Sequence, residues 1–185
     1  MAKPKALFLD RDGVINKDYG YVRSRDNFDF IEGVFKLCKQ AQDRGFIIII
    51  VTNQSAIGRG LISERNFLKL CNWMEEEMNA HGINIAKIYY SPYHPIFGIR
   101  KYKKDSTCRK PNPGMFIQAE REFNIDMTES LNVGNNIGDI EAGKKANVKN
   151  NFLFVCADEV LRYSSENHIV ISKLDEIFGL HYEKK

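Results

Sequence analysis

Residues 46–51, Phe-Ile-Ile-Ile-Ile-Val, constrain the fold of this chain more than any other stretch. Six apolar residues in a row, five of them β-branched, offer no polar face to water. Such a run suits a strand packed on both faces, the habit of parallel sheets covered by helices. Parallel strands need crossover connections, and the flanking sequence supplies them. Val34, Leu37, Cys38 and Ala41 recur at helical spacing before the run, with Gly45 just past the helix end. Beyond it, Ser63 is placed to cap a long helix with an apolar stripe of Phe67, Leu70, Cys71, Met74 and Met78. Further apolar runs at 7–9, 85–90, 131–133, 152–155 and 168–171 read as strands. Asn112 and Pro113 read as the N-cap and first position of a helix to about Phe123. Asp139 reads as opening another helix, and residues 174–178 as a short amphipathic one. Residues 17–30 read as a loop with a short hairpin, and residues 52–60 as a polar, glycine-containing loop. Alternating strands and helices predict an α/β fold with a mostly parallel sheet and helices on both faces.

A chain of 185 residues can bury one sizeable core, so residues 1–185 are expected to form a single domain. The net charge of +3 is modest, and outside the basic run at 100–104 the cations are scattered, which argues against a nucleic-acid partner. No stretch approaches the roughly 18 apolar residues of a membrane span, and residues 1–5 leave no room for an apolar signal region. Cys38, Cys71, Cys108 and Cys156 lack CxxC spacing, and the first two fall on apolar helix faces. A reduced, cytoplasmic protein is the expectation, with a monomer as the default state.

Asp10 and Asp12 follow the first strand, with Gly13 directly behind. Residues i and i+2 of extended backbone share a face, so both carboxylates enter one space. Alone, the pair is equally well a strand running into an Asp-Gly turn. Together they repel unless a cation lies between them, and Mg²⁺ takes hard oxygen ligands of this kind. Polar clusters recur at or beyond other strand ends: Thr52/Asn53, Arg109/Lys110 and Asn135/Asp139. Open parallel sheets bind ligands at that edge. The set fits phosphoryl transfer through an aspartyl-phosphate. Asp10 would attack phosphorus, and Asp12 would protonate the leaving oxygen and later deprotonate water. Thr52 and Asn53 would donate to phosphate oxygens, and Lys110 would supply fixed positive charge.

The stretches DRDGVIN, VTNQSAIGRG, CRKPNPGM and VGNNIGDIEAG resemble the four motifs of the haloacid dehalogenase phosphatase superfamily. DYGYV, NFDFIEGV and YYSPYHP further resemble its D-glycero-D-manno-heptose 1,7-bisphosphate phosphatase branch, whose near relatives include histidinol phosphatases. The resemblance implies a three-layer, Rossmann-like sandwich without a large cap domain. It implies Mg²⁺ held by Asp10, the Asp12 backbone carbonyl and Asn135, with Asp139 holding a metal-bound water. It implies a small-molecule substrate, a sugar bisphosphate losing its C7 phosphate on the way to nucleotide-activated heptose for surface polysaccharide. Thr52, Asn53 and Lys110 would then hold the transferring phosphate. Arg59, Arg109 and either Arg100 or Lys101 would meet the distal one, at a rim including residues 91–108. Histidinol phosphate is the alternative substrate, and a weakened fold retained for ligand binding is the alternative of another class.

Three positions depart from the family pattern. Relatives commonly hold zinc through a Cys-x-His and a Cys-x-Cys pair. The corresponding residues here are Ser91, Tyr93, Ser106 and Cys108, with His94 one place out of register. Structural zinc takes four Cys or His ligands, so no zinc is expected. Val14 replaces a threonine with another β-branched residue. Asn135 replaces an aspartate, which bears directly on metal affinity.

Overall fold

The structure, a computed structural model, describes residues 3–163 and 168–181. Residues 1–2, 164–167 and 182–185, which the single-domain expectation also spans, lie outside the described residues. Six strands form one parallel sheet: β1 (Lys5–Leu9), β2 (Phe46–Asn53), β3 (Ile85–Ser91), β4 (Leu131–Gly134), β5 (Asn150–Phe154) and β6 (Ile169–Ile171). Their spatial order is β3-β2-β1-β4-β5-β6. The chain builds outward from β1 to β3, then returns to the other side of β1 for β4. Connections diverge there, and the crevice between the carboxyl ends of β1 and β4 is the topological switch point.

The helices are α1 (Val34–Asp43), α2 (Ser55–Gly58), α3 (Glu64–Ala80), α4 (Gly114–Phe123), α5 (Ile137–Lys145) and α6 (Val160–Tyr163). Strand alternation assigns the two faces. Leu7, Leu9, Ile48, Ile50 and Val133 pack against α1 and α3. Ala6, Phe8, Ile49 and Val51 pack against α4 and α5, with the Phe8 and Phe116 ring centroids 4.9 Å apart. Each Leu, Ile or Phe buried this way favours folding by about 1.5–3 kcal/mol. This is the three-layer sandwich that the alternation and the family resemblance imply.

Local departures have local causes. Strand β2 continues through Thr52 and Asn53, and the expected loop after it winds into the single turn of α2. Ser63 does cap α3, accepting from Asn66 N at 3.1 Å. Helix α4 instead starts at Gly114, with Pro113 as its N-cap and no side-chain cap. The Asn112 amide is used to close the preceding loop on Ser106 O at 3.0 Å. Asp139 lies inside the first turn of α5, behind the N-cap Asn136. The hairpin expected within 17–30 reduces to an Asn16–Phe30 bridge and a 3-10 turn at Arg25–Asn27. Near the C-terminus the helical turn covers Ile177–His181. No helix among the described residues is long and apolar enough to cross a membrane.

Candidate active site

The carboxyl edge of β1 and β4 opens into a cavity of about 390 Å³. Asp10, Asp12, Thr52, Lys110, Asn135 and Asp139 line it, joined by Asn53 and Arg109. Of the candidate residues Arg59, Arg100 and Lys101 stand outside that lining. Close approach of two loops makes the cavity compact. Gly13 takes φ +86° with the Asn135 carboxamide directly over it, and a side chain on Gly134 would run into Asp139.

Asp10 leaves β1 with its N–H bonded to Val133 O at 3.0 Å, which pins it between β1 and β4. Its Oδ1 accepts from Arg11 N at 2.7 Å and from Lys110 Nζ at 3.1 Å. Burial raises its pKa to about 7; Asp139 and Asp12 push the same way, and Lys110 pulls back. The Lys110 ammonium is buried and has three acceptors for three protons: Val51 O at 2.6 Å, Asp139 Oδ1 at 2.7 Å and Asp10 Oδ1. Burial opposes its charge, but Asp10 and Asp139 outweigh that and hold its pKa above the ordinary lysine value.

Asn53 serves this lysine. Its Nδ2 donates to Lys110 O at 3.0 Å and its Oδ1 accepts from Lys110 N at 3.1 Å. That pair of hydrogen bonds holds the side-chain amide on the backbone of Lys110, while Asn53 still lines the cavity. Asp139 is occupied on both oxygens, Oδ1 by Lys110 and Oδ2 by Asn136 N at 2.9 Å, the latter part of a capping box. A buried amide pair beneath it, Asn132 on Asn151, also donates to Asp139 O at 3.0 Å.

Around Asp12 the structure gathers three residues that sequence reasoning passed over. Arg11 Nη2 lies 2.8 Å from both carboxylate oxygens, Asn16 Nδ2 lies 3.0 Å from Oδ1, and Gln54 Nε2 lies 2.9 Å from Oδ2. Gln54 also donates to Thr52 Oγ1 at 3.0 Å. The available signal was position: Arg11 sits inside the acid pair, and Gln54 lies two residues past Thr52.

At the rim, the Arg59 guanidinium lies 4.4 Å from the Phe97 ring centroid and 5.5 Å from that of Tyr21, a cavity-lining residue. Arg109 donates to Tyr93 O at 3.0 Å. Burial and neighbouring Arg59 lower the Arg109 pKa, and burial followed by both arginines lowers that of His94. The imidazole Nδ1 of His94 accepts from Ile96 N and Phe97 N at 3.2 and 3.1 Å, fixing the turn that carries Phe97. Arg100 and Lys101 line a separate groove beside Ile62 and Tyr102. Of the positions matching the relatives' zinc ligands, three meet. Ser106 Oγ and Cys108 Sγ are 3.0 Å apart, and that thiol donates to Ser91 Oγ at 3.7 Å.

The profile of the family described as polynucleotide kinase 3 phosphatase matches residues 6–172. D-glycero-beta-D-manno-heptose-1,7-bisphosphate 7-phosphatase of Vibrio cholerae is 48% identical over 148 residues, 80% of this chain and 79% of that protein. The alpha-heptose counterpart of Burkholderia mallei is 43% identical over 169 residues, 91% and 89% of the two chains. Among solved structures, a HAD-like phosphatase from Mesorhizobium loti superposes with TM-score 0.85 at 28% identity, covering 96% of this chain and 84% of that one. D,D-heptose 1,7-bisphosphate phosphatase from B. bronchiseptica, complexed with magnesium and phosphate, gives 0.79 at 25% identity, covering 92% and 93%. With the acid pair, the buried lysine and these relatives in agreement, the chain belongs to the haloacid dehalogenase phosphatases, in the heptose 1,7-bisphosphate 7-phosphatase family.

Proposed function

We propose that this phosphatase removes the C7 phosphate of a heptose 1,7-bisphosphate, with Asp10 as nucleophile and Asp12 as general acid and base. Asp10 attacks phosphorus and forms an aspartyl-phosphate while the proton of Asp12 passes to the departing sugar oxygen. Asp12, now ionised, takes a proton from the water that attacks the phosphoenzyme, and inorganic phosphate leaves. Thr52 donates to the transferring phosphate. Lys110 offsets its charge and keeps Asp10 and Asp139 apart.

The donor set fits Mg²⁺. Four carboxylates, Asp10, Asp12, Asp18 and Asp139, line one cavity, with burial and the repulsion of Asp139 and Asp12 raising the Asp10 pKa to about 7. Hard oxygens in excess of fixed positive charge are the ligands that ion takes. Asp10, the Asp12 carbonyl and Asn135 would hold it, and Asp139 would hold its water. When bound it supplies charge neutralisation at the transferring phosphate.

The observation that carries the substrate reading is the rim. Arg59 stacks between rings and Arg109 bonds a carbonyl, so neither cation has a carboxylate against it among the described residues. They stand beside a cavity that already holds its own lysine, as a second phosphate would require. We place residues 91–108 as that rim, on a single-domain enzyme. The test is phosphate release from both heptose bisphosphate anomers, the matching heptose 1-phosphate and histidinol phosphate, with and without Mg²⁺. Turnover of a bisphosphate far above the others is expected, raised by Mg²⁺ and lost in Asp10→Asn. Arg59→Ala should raise KM for the bisphosphate alone. Preference for histidinol phosphate, or residual turnover above a few per cent in Asp10→Asn, overturns the reading.

A further inference from the structure

We propose that Arg11 is the positioning residue of Asp12: it fixes the carboxylate that serves the leaving group and itself touches neither phosphate nor metal. A guanidinium next to a phosphatase nucleophile would ordinarily be taken as a phosphate ligand. Burial decides otherwise, because Arg11 is 1% exposed and forms no part of the cavity wall. Its fork is aimed at Asp12 instead. Nη2 reaches both carboxylate oxygens at 2.8 Å, and Nε reaches Oδ1 at 3.2 Å. The same Nη2 is anchored further by donating to Val22 O at 3.2 Å, and the guanidinium carbon stands 5.5 Å from the Phe67 ring centroid.

The need for such a clamp follows from the local backbone. Asp12 lies outside β1, bridged only to Asn16, and is followed by Gly13 in a left-handed conformation, so the sheet itself does not orient its side chain. A planar fork sets the plane of a carboxylate in a way that a point charge does not. Asn16 adds a donor to Oδ1, while Oδ2 faces the cavity side through Gln54, which lines it. Oδ2 is therefore the oxygen that hands its proton to the departing sugar oxygen as the phosphorus–oxygen bond breaks. The ionised carboxylate left behind keeps Arg11 as its partner until the hydrolytic water returns a proton.

The proposal rests on the phosphatase reading, and two esters separate the two. One is the heptose bisphosphate, whose alkoxide needs a proton to leave. The other is p-nitrophenyl phosphate, whose phenolate departs without one. The readout is kcat/KM, which covers steps through departure of the leaving group. Asp12→Asn should cost roughly 10²–10⁴-fold on the sugar ester and far less on the aryl ester. Arg11→Lys keeps the charge but loses the fork, and should show the same ester-selective loss, on the order of 10²-fold. Placed in the Asp12→Asn background, it should cost nothing further. If Arg11→Lys does not fold, Arg11→Met/Asp12→Asn removes both charges of the pair together, leaving no buried arginine unpaired, and is expected to match Asp12→Asn alone. Equal losses on both esters, or a further loss in either double variant, overturns the proposal. Failure of the parent enzyme on both esters would instead overturn the phosphatase reading.

Discussion

Asn135 places an amide where the family pattern has a carboxylate, one negative charge fewer beside Asp10. At an effective dielectric of about 20, a charge pair roughly 4 Å apart is worth a few kcal/mol before hydration offsets most of it. A residual effect of about 1.4 kcal/mol amounts to tenfold in affinity. Asn135→Asp should therefore reach half-maximal activity at about one-tenth of the Mg²⁺ the parent enzyme needs. An unchanged requirement, or a parent enzyme inert at every Mg²⁺ concentration, refutes this. At the same scale, Asp10, Asp12 and Lys110 were legible in the sequence because i, i+2 spacing and strand ends locate them without tertiary detail. The partners of Asn53 and Arg11 were not. Each is a polar residue inside a motif, and whether it faces ligand or scaffold depends on a partner far along the chain or on burial. Asn53 meets Lys110 57 residues on, and Arg11 meets Val22 under a buried ring.

Elements were legible wherever an apolar period ran long enough. The unbroken run of β2 and the stripe of α3 both lie where their periodicity puts them. The start of α4 was misread because the Asn-Pro signal is also a loop-closing signal, and the bond to Ser106 O decides between them. That bond belongs to the 91–108 connection, which is held by side chains of its own. Ser91, Ser106 and Cys108 tie its two ends, and His94 fixes its middle. Hydroxyls and one thiol are poor substitutes for four Cys or His ligands. Purified enzyme should carry no stoichiometric zinc by elemental analysis, and exhaustive chelation followed by Mg²⁺ should leave its activity unchanged. Zinc that survives dialysis against chelator would contradict this.

For the molecule as a whole, the sheet order β3-β2-β1-β4-β5-β6 gathers residues from the ends of β1, β2 and β4 and from the loop ahead of α4 into one crevice, and the carboxylates there come at a thermodynamic cost. Burial raises the Asp10 pKa to about 7, above its ordinary value of 3.8. Below about pH 4 the group is protonated in both folded and unfolded chains. Between there and neutrality the unfolded chain releases the proton first, so stability drains away as pH rises through the folded pKa. By pH 8 the loss is on the order of a few kcal/mol, a large share of the margin that keeps a domain folded. Asp10→Asn should therefore melt with the parent protein near pH 4 and several degrees above it at pH 8 without metal. Mg²⁺ should narrow that gap by binding the native parent alone. Coincident melting curves at both pH values would contradict this. The metal-free protein is thus expected to be least durable at alkaline pH, and the Mg²⁺ proposed to serve phosphoryl transfer is expected to protect the fold as well.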